Sequence, residues 1–377
     1  MNEKLHFETK AIQSTLIKDA QASSVTQPIY LTTTFEREDD GSYAHGFVYS
    51  RLDNPNRKQL EESVAMLENG DKGFAFASGM AAINAVFQTL KTGDHVIIPD
   101  DAYYAAEILL KDVYERWGLQ MTKADMSNIE AVQNAVQPNT KLIWLETPSN
   151  PLLKISDIKT ISSIAHKAGA MCAVDNTWAT PVIQLPLDLG ADIVMHSTTK
   201  YFGGHCDVLG GVVIIKNNEE LARRLSSIQT KGGAVPSPFD CWMISRGIKT
   251  LSLRVKAQTE NANQIAEYLS THPEIEKVNY PGLTSHPQHA VAAKQMIGGF
   301  GAMLSVQIKG GAKEAMAVTS RLKLFTTATS LGGVESLVEH RQSVEGPYTK
   351  TPENLLRVSV GVEHIDDLIN DWKQSLG

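Results

Sequence analysis

Short apolar runs alternate with helical segments along much of the chain, and this alternation most strongly constrains the fold. Between residues 73 and 216 we predict six strands, GFAFAS, DHVIIP, KLIWLE, MCAVD, DIVMHS and GGVVIIK. A helix is predicted to begin at Pro55 and to end at Gly70. Near-continuous apolar strands separated by helices are typical of a mostly parallel sheet covered on both faces. The sequence therefore predicts an α/β fold.

The pattern changes in the last third of the chain, which predicts a second, smaller α/β unit. A helical region at about 238–270 precedes the apolar runs EKVNYPG, AMLSVQI and LRVSVG and a last predicted helix, HIDDLINDWKQSL. The start of the chain shows few periodic segments and is predicted to be irregular. We expect an N-terminal segment at 1–54, a large domain at 55–235, and a small domain at 236–377 with a long linking helix.

Composition limits the partners and the compartment. The 377 residues carry a net charge of −7, which disfavours a nucleic-acid partner. No apolar run approaches the roughly 20 residues of a membrane span. The first residues, MNEKLHFETK, lack the apolar core of a signal peptide. Cys172, Cys206 and Cys241 have no CxxC spacing and predict free thiols in a reducing compartment. We therefore expect a cytoplasmic protein.

Polar and reactive side chains follow the predicted strands. In an open α/β sheet, ligands bind beyond the carboxyl ends of the strands. The chain carries at these positions Ser78, Gly79, Glu146, Asn150, Asp175, Ser197, Thr199 and Lys200. The stretch HSTTKYFGGHCD (196–207) is the most unusual of these strand ends, because two hydroxyl types and an amine precede a Gly-Gly pair. We expect these groups to meet in one crevice.

Each of these residues also has a structural interpretation. Asp175 is suited to a turn, Ser78 to capping the helix that follows it, and Lys200 to the surface. Residues 205–207, His-Cys-Asp, suggest a metal ligand set, but no second ligand cluster accompanies them and no metal site is predicted. The residues taken together are more informative than any one of them.

An amine, a carboxylate and a phosphate-binding helix start predict pyridoxal phosphate as the cofactor. Its aldehyde condenses with a lysine amine, its ring nitrogen needs an acid partner, and its phosphate needs donors. Lys200 would bind the aldehyde and Asp175 would face the ring nitrogen. Ser197, Thr199 and the helix start at Gly79 would hold the phosphate. A nucleotide is disfavoured because GxxxxGK[ST], and GxGxxG after the first strand, are missing.

Seven motifs follow one another in order across nearly the whole chain. They are YSRLDNPN (49–56), ASGMAA (77–82), ETPSNP (146–151), VDNTWATP (174–181), HSTTKYFGGHCD (196–207), SLGGVESL (330–337) and LRVSVGVE (356–363). Together they resemble the Cys/Met-metabolism family of pyridoxal-phosphate enzymes, which includes cystathionine γ-synthase, cystathionine γ- and β-lyase, methionine γ-lyase and O-acylhomoserine sulfhydrylase. The resemblance implies the type I aminotransferase-like fold and a homotetramer made of two dimers.

The resemblance also implies roles for single residues around the cofactor. Lys200 matches the lysine that binds it covalently, Asp175 the acid on its ring nitrogen, and Tyr103 the tyrosine that stacks on the ring and assists proton transfer. The residues that match phosphate ligands within the same subunit are Gly79, Met80, Ser197 and Thr199.

Other matches concern the neighbouring subunit and the substrate. Tyr49 and Arg51 match a pair that reaches the phosphate from the neighbouring subunit. Asn150, Ser330 and Arg357 match groups near the ring oxygen and the substrate α-carboxylate. An arginine suits that place because its planar fork binds a carboxylate bidentately.

The chain departs from the family's pattern in places that concern substrate choice. Tyr103 is followed by Tyr-Ala-Ala (104–106), where the family usually has Gly-Gly-Thr or Gly-Cys-Thr. Ile108 stands where several γ-synthases and γ-lyases have an arginine, and Thr329 where they often have a glutamate. These absences predict weak discrimination between cystathionine and smaller thioethers, unless other residues, including some from the N-terminal segment, supply the contacts.

The expected function is cleavage of a carbon–sulfur bond in a sulfur amino acid by elimination, within methionine and cysteine metabolism. A cystathionine lyase of the transsulfuration route is favoured, γ more than β. The alternatives are γ-replacement, as in cystathionine γ-synthase or O-acylhomoserine sulfhydrylase, and methionine γ-lyase. A catalytically idle pyridoxal-phosphate-binding protein is a further alternative, and the intact Lys200, Asp175, Tyr103 and Arg357 argue against it.

Overall fold

The computed structural model describes residues 5–16, 19, 21–345 and 351–377, and its larger sheet is mostly parallel. In the described part of the chain this sheet has seven strands, β1 (Lys72–Phe76), β2 (His95–Pro99), β3 (Gln120–Ala124), β4 (Thr140–Glu146), β5 (Met171–Asp175), β6 (Ile193–His196) and β7 (Gly211–Ile215). Their order is β1-β7-β6-β5-β4-β2-β3, and β7 runs antiparallel to both of its neighbours while the other pairs are parallel. The predicted α/β class is confirmed.

All six predicted strands are present, and β3 is an additional edge strand. Its sequence, QMTKA, mixes polar and apolar residues and is only partly buried. A half-exposed edge strand lacks the continuous apolar run by which the central strands were predicted. The helices that accompany this sheet are α1 (Phe7–Gln13), α2 (Pro55–Leu67), α3 (Gly79–Phe87), α4 (Tyr104–Leu109), α5 (Ile129–Ala135), α6 (Ile158–Lys167), α7 (Thr180–Ile183) and α8 (Glu219–Gly232).

Alternate residues of the central strands enter two apolar clusters, one on each face of the sheet. Val96 and Ile98 pack with α3, α4 and α8, whereas Ile97 between them packs with α5 and α6. Because side chains alternate along a strand, this division shows that both faces are covered. Burial on both faces explains why the central strands are continuously apolar.

A second sheet of five described strands follows, with the order β10-β11-β12-β9-β8. The elements in this part of the chain are α9 (Pro238–Ile248), α10 (Leu251–Ser270), β8 (Ile275–Asn279), α11 (His289–Gln295), β9 (Met303–Ile308), α12 (Ala312–Arg321), β10 (Thr326–Thr327), β11 (Leu337–His340), α13 (Arg341–Glu345), β12 (Leu355–Ser359) and α14 (Ile365–Leu376). The predicted helical region at 238–270 is two helices that break at Lys249 and Thr250. The domain boundaries at 54 and 235 stay predictions.

The predictions for the N-terminal part need two corrections. The segment at 1–54 is not wholly irregular, because α1 forms there with Ala11 buried against the rest of the chain. Helix α2 begins at Pro55 as predicted, capped by the Asn54 side chain, but it ends at Leu67. The N–H of Gly70 donates to the carbonyl oxygen of Ala65 at 2.8 Å, so Gly70 takes part in ending the helix as predicted. A Cβ there would lie 2.4 Å from Cγ2 of Ile214, so glycine lets the chain pass close to β7.

A buried polar network connects the residue after α2 with the ends of β5 and β6. Glu68 Oε1 accepts a hydrogen bond from Asn176 Nδ2 at 2.9 Å and lies 2.5 Å from His196 Nε2. Gln184 donates to Asn176 Oδ1 and accepts in turn from Gln295, which lies in the second half of the chain. Glu68, Asn176 and His196 are almost wholly buried, so these bonds replace lost hydration. In the described residues, no helix is both long and apolar enough to cross a membrane.

Candidate active site

The carboxyl ends of β4, β5 and β6 meet at one edge of the large sheet and open onto a cavity. In the paired register Glu146 lies opposite Asp175, and Asp175 lies opposite Met195, two residues before Ser197. The cavity has a volume of about 340 Å³. Residues that the sequence singled out line it, namely Ser78, Gly79, Met80, Tyr103, Glu146, Asn150, Asp175, Ser197, Thr199, Lys200, Thr329, Ser330 and Arg357. The expectation that these groups share one crevice is confirmed.

Tyr49 and Arg51 are not among the residues that line this cavity. Arg51 Nη1 donates to the carbonyl oxygen of Thr230 at 2.5 Å, and its guanidinium lies 5.8 Å from the centre of the Tyr49 ring. Tyr49 is 43% exposed. The pair therefore lies outside the cavity of its own chain.

Lys200 projects from the loop after β6 into the cavity. Its amine donates to Ser330 Oγ at 2.7 Å. Burial, helped by the charge of Arg357, lowers the pKa of Lys200 to about 8. Ser330 has a φ of +88°, a conformation that residues other than glycine seldom adopt and that is concentrated at functional sites. The amine is thus held in place and partly stripped of the solvation that favours its charged form.

Asp175 and Glu146 are two buried carboxyls on neighbouring strand ends. Burial raises the pKa of Asp175, while hydrogen bonds from Thr177 and the charge of His196 lower it. Burial and the nearby Asp175 together raise the pKa of Glu146 well above its usual value. The backbone N–H of Thr177 donates to Asp175 Oδ1 at 3.0 Å, so the turn interpretation of Asp175 holds beside the functional one. Two buried carboxyls this close to each other disfavour ionisation of both together.

The start of α3 forms a narrow cradle against Ser197. Ser78 caps this helix by accepting from the backbone N–H of Ala81 at 3.1 Å, which confirms the structural interpretation of Ser78. A Cβ at position 79 would lie 2.8 Å from Cβ and Oγ of Ser197, so the cradle requires glycine there. Thr199 Oγ1 accepts from the backbone N–H of Gly210 at 3.1 Å. Free backbone N–H groups at a helix start suit a phosphate.

Tyr103 lies across the cavity and is held through its backbone. Its N–H donates to Glu146 Oε2 at 2.7 Å, and its ring meets that of Tyr104 edge to face at 5.2 Å. Burial raises the pKa of the Tyr103 hydroxyl, while Arg341 and Arg357 lower it. The hydroxyl is therefore protonated near neutral pH and can donate a hydrogen bond.

Two buried arginines share one carboxylate at the far wall. Arg357 Nη2 lies 2.6 Å from Glu339 Oε1, and Arg341 Nη1 lies 2.8 Å from the same oxygen. Arg357 also donates to Asn150 Oδ1 at 3.3 Å and to the carbonyl oxygen of Ser330 at 3.0 Å. Sequence reasoning missed Glu339 and Arg341. The available signal was a run of charged residues, Glu-His-Arg, that follows the apolar start of β11.

Residues 205–207 are not grouped with other described side chains as a metal ligand set. His205 Nδ1 lies 2.9 Å from the carbonyl oxygen of Gly203, and Cys206 Sγ lies 3.9 Å from a carboxylate oxygen of Glu335. In the part of the chain that the structure describes, no three His, Cys, Asp or Glu side chains are grouped as metal ligands.

A comparison with known proteins decides the family. The sequence profile of the family described as "Cys/Met metabolism PLP-dependent enzyme" matches residues 8–377. The chain belongs to this family. The resemblance inferred from the seven motifs is confirmed, and pyridoxal phosphate is the cofactor of the family.

Similar proteins in the family carry more than one activity in their names. The chain is 46% identical to a cystathionine γ-synthase of Mycobacterium tuberculosis over 98% of this chain and 96% of that protein. It is 43% identical to a cystathionine γ-lyase of Bacillus subtilis over 98% of both. The crystal structure of MetB from Corynebacterium glutamicum matches with a TM-score of 0.96 at 43% identity, over 99% of this chain and 98% of the other. The predicted type I fold is confirmed.

The residues at this edge of the sheet fit the family's cofactor. The glycine-dependent cradle between Gly79 and Ser197 has the donors that a phosphate needs. Asp175 is a buried carboxyl whose raised pKa a cationic ring nitrogen would lower. Lys200 supplies an amine in the same cavity. A helix start suited to a phosphate, an acid and an amine are therefore present together.

The lowered pKa of Lys200 predicts the pH at which its amine reacts. Because burial disfavours the ammonium form, the neutral amine should predominate above about pH 8. The amine of an unperturbed lysine has a pKa of about 10.4, so its neutral form predominates only above about pH 10.4. We expect the rate at which cofactor-free protein combines covalently with pyridoxal phosphate to rise towards about pH 8 and then level off, as followed by stopped-flow absorbance. Nα-acetyllysine is the control, and a rate that climbs steadily to about pH 10 in the protein would contradict the assignment.

Proposed function

We propose that this enzyme cleaves a carbon–sulfur bond of cystathionine by elimination, at the γ-carbon more than at the β-carbon. The observation that carries the proposal is the single cavity in which the Lys200 amine, the Asp175 carboxyl and the Arg357 guanidinium meet. An amine, an acid and a carboxylate-binding arginine are the groups that bind an amino acid at a pyridoxal-phosphate site. Membership of the family limits the substrate to small sulfur amino acids.

Each residue has a part in this reaction that follows from its chemistry. Pyridoxal phosphate, when bound, stabilises negative charge that develops at the substrate α-carbon. Asp175 would hold a proton on the ring nitrogen, since an ionised carboxyl favours a cationic partner. Arg357 would bind the α-carboxylate through its planar fork. Lys200 Nζ, whose pKa is about 8, would take the α-proton and return it at a later carbon.

Three further residues would complete the binding of cofactor and substrate. Tyr103, whose hydroxyl is protonated at neutral pH, would cover the ring and assist proton transfer. Asn150 lies beside Arg357 and would be near the ring oxygen. Ser330 accepts from the Lys200 amine and would hold it ready until substrate arrives. The phosphate would bind at Gly79, Met80, Ser197 and Thr199.

Replacement at the γ-carbon is the second candidate. A relative named cystathionine γ-synthase, from M. tuberculosis, is 46% identical to this chain, and the relative named γ-lyase is 43% identical. Both reactions begin with the same proton transfers at the α- and β-carbons, so Lys200 and Asp175 would serve either. The later steps differ in whether a thiol leaves or enters.

A product assay distinguishes these reactions. From cystathionine, γ-elimination yields cysteine, 2-oxobutanoate and ammonia, whereas β-elimination yields homocysteine, pyruvate and ammonia. We expect the cofactor-loaded enzyme to form mainly 2-oxobutanoate, and Lys200→Ala to lose about 10³-fold or more in rate because it lacks the proton-transfer amine. Methionine, cysteine and O-acylhomoserines with cysteine are run in parallel. Faster formation of cystathionine without ammonia than of any oxo acid would contradict the elimination proposal and favour γ-replacement.

We also propose that the site is shared between two subunits of a homotetramer made of two dimers. Support comes from Tyr49 and Arg51, which lie outside the cavity of their own chain, with the Tyr49 side chain 43% exposed. An exposed tyrosine and arginine at a turn of the N-terminal segment are suited to reach a phosphate across an interface. The cytoplasmic location remains a prediction.

Sharing predicts complementation between two inactive variants. If Arg51 acts across the dimer, a hybrid of Arg51→Ala and Lys200→Ala chains has one intact site. Mixed subunits should regain about a quarter of the wild-type rate, because about half of randomly mixed dimers are hybrids with one working site each. Each variant alone, carried through the same unfolding and mixing, is the control. Full absence of activity in hybrids whose mixing is verified by mass spectrometry would refute sharing.

A further inference from the structure

Arg341 is a buried cation in the cavity wall, and the proposed reaction assigns it no role. It begins α13, directly after β11, and only 3% of its surface is exposed. Its Nη1 lies 2.8 Å from Glu339 Oε1 and its Nε 2.7 Å from Glu345 Oε1. Among the described residues its Nη2 has no hydrogen-bond partner. A buried guanidinium nitrogen left without a partner is costly, which points to a missing acceptor.

The neighbours of Arg341 form one side of the substrate cavity. The guanidinium carbon lies 5.8 Å from the centre of the Tyr104 ring, and both residues line the cavity with Thr329 and Val344. The charge of Arg341 also lowers the pKa of Tyr103 and contributes to the lowered pKa of Lys200, so it acts on the reacting groups.

The cavity contains a second guanidinium besides that of Arg357. Among the described residues, the cationic side chains that line it are Lys200, Arg341 and Arg357. Lys200 is assigned to the cofactor and Arg357 to the α-carboxylate. Ile108, at the position where several γ-synthases and γ-lyases have an arginine, is 47% exposed and does not line the cavity. Arg341 is therefore the cation left for another anionic group.

The two arginines share a single oxygen of Glu339, so their N–H donors are only partly used within the described residues and can bind another anionic group. Glu339 Oε1 is shared between Arg341 and Arg357, while its Oε2 has no partner among the described residues. When a substrate carboxylate binds Arg357, the shared oxygen can pair more closely with Arg341. A second carboxylate would then meet the unpartnered Nη2 beside Tyr104.

We propose that Arg341 binds a carboxylate at the far end of the substrate, while Arg357 binds the α-carboxylate. The inference rests on the proposed function, and it names the substrate class as amino acids whose leaving half carries a carboxylate. Cystathionine and O-succinylhomoserine belong to this class, whereas S-ethylhomocysteine and O-acetylhomoserine do not. This reverses the expectation of weak discrimination drawn from Ile108 and Thr329, because Arg341 supplies the contact from a different element.

The test is a ratio of two kcat/KM values, cystathionine over S-ethylhomocysteine, measured with the cofactor-loaded enzyme. A charge-assisted contact to a carboxylate corresponds to a preference of about ten- to a hundred-fold. We expect that preference in the wild-type protein and its loss in Arg341→Gln, mainly through KM for cystathionine. Arg341→Lys should keep part of the ratio, since it keeps the charge but not the fork.

The control separates substrate binding from a structural role in α13. Glu345→Gln weakens the 2.7 Å contact to Arg341 Nε within the helix and alters no residue that lines the cavity. If Arg341 serves only to hold the helix, Arg341→Gln and Glu345→Gln should lower both kcat/KM values alike and leave the ratio unchanged. That result would overturn the proposal, as would a wild-type ratio near one.

The same comparison remains possible if the proposed elimination is wrong. Should cystathionine yield no oxo acid, the ratio is taken for O-succinylhomoserine over O-acetylhomoserine with cysteine as the incoming thiol. A preference for the succinyl ester that disappears in Arg341→Gln supports Arg341 and refutes only the lyase assignment. Equal use of both esters by wild-type and variant refutes Arg341 independently.

Discussion

The contact between Glu68 and His196 fixes the edge of the sheet on which the site lies. His196 immediately precedes Ser197, and Asn176, which also bonds Glu68, immediately follows Asp175. The buried side chain of Glu68, directly after α2, therefore links the ends of β5 and β6 through Asn176 and His196. Because side chains alternate along a strand, Asp175 and Ser197 point to the cavity while their neighbours hold the strand ends. Removing one partner of such a buried hydrogen bond typically costs about 1 to 3 kcal/mol, because the other partner is left unsatisfied.

Charge is distributed unevenly around the cavity, and this distribution supports the chemistry. On one side, burial and mutual repulsion raise the pKa of the carboxyl of Glu146, beside Asp175. On the other, burial and the nearby charges of Arg357 and Arg341 lower the pKa of the Lys200 amine to about 8. An acid that faces the ring nitrogen and an amine whose pKa lies near 8 would be the two groups that proton abstraction needs. The fold provides both within one cavity.

The sequence predicts the site residues at the ends of strands better than those whose position depends on tertiary packing. Continuous apolar strands locate Asp175 and Lys200 at strand ends, and ligand binding beyond the carboxyl ends of an open α/β sheet then brings them together. Arg357 lies inside β12, where an ion pair is the natural interpretation, so its role required the family resemblance. The charged run Glu-His-Arg contains Arg341, but its place in the cavity depends on how β11 and α13 pack against Tyr104, which the sequence does not show. Helix α1 was not predicted either, because it is short and lacks a strong apolar period.

Covalent attachment of the cofactor to Lys200 is the claim on which the proposed chemistry most depends. Borohydride reduction of the loaded enzyme converts the lysine–cofactor linkage into a stable amine, and proteolysis with mass spectrometry then locates it. We predict one modified peptide that contains HSTTKYF (196–202), with the added mass on Lys200. The modification should be absent from that peptide in Lys200→Ala. A stable adduct on another lysine of the wild-type protein, or none when cofactor absorbance shows that it is bound, would contradict the central claim.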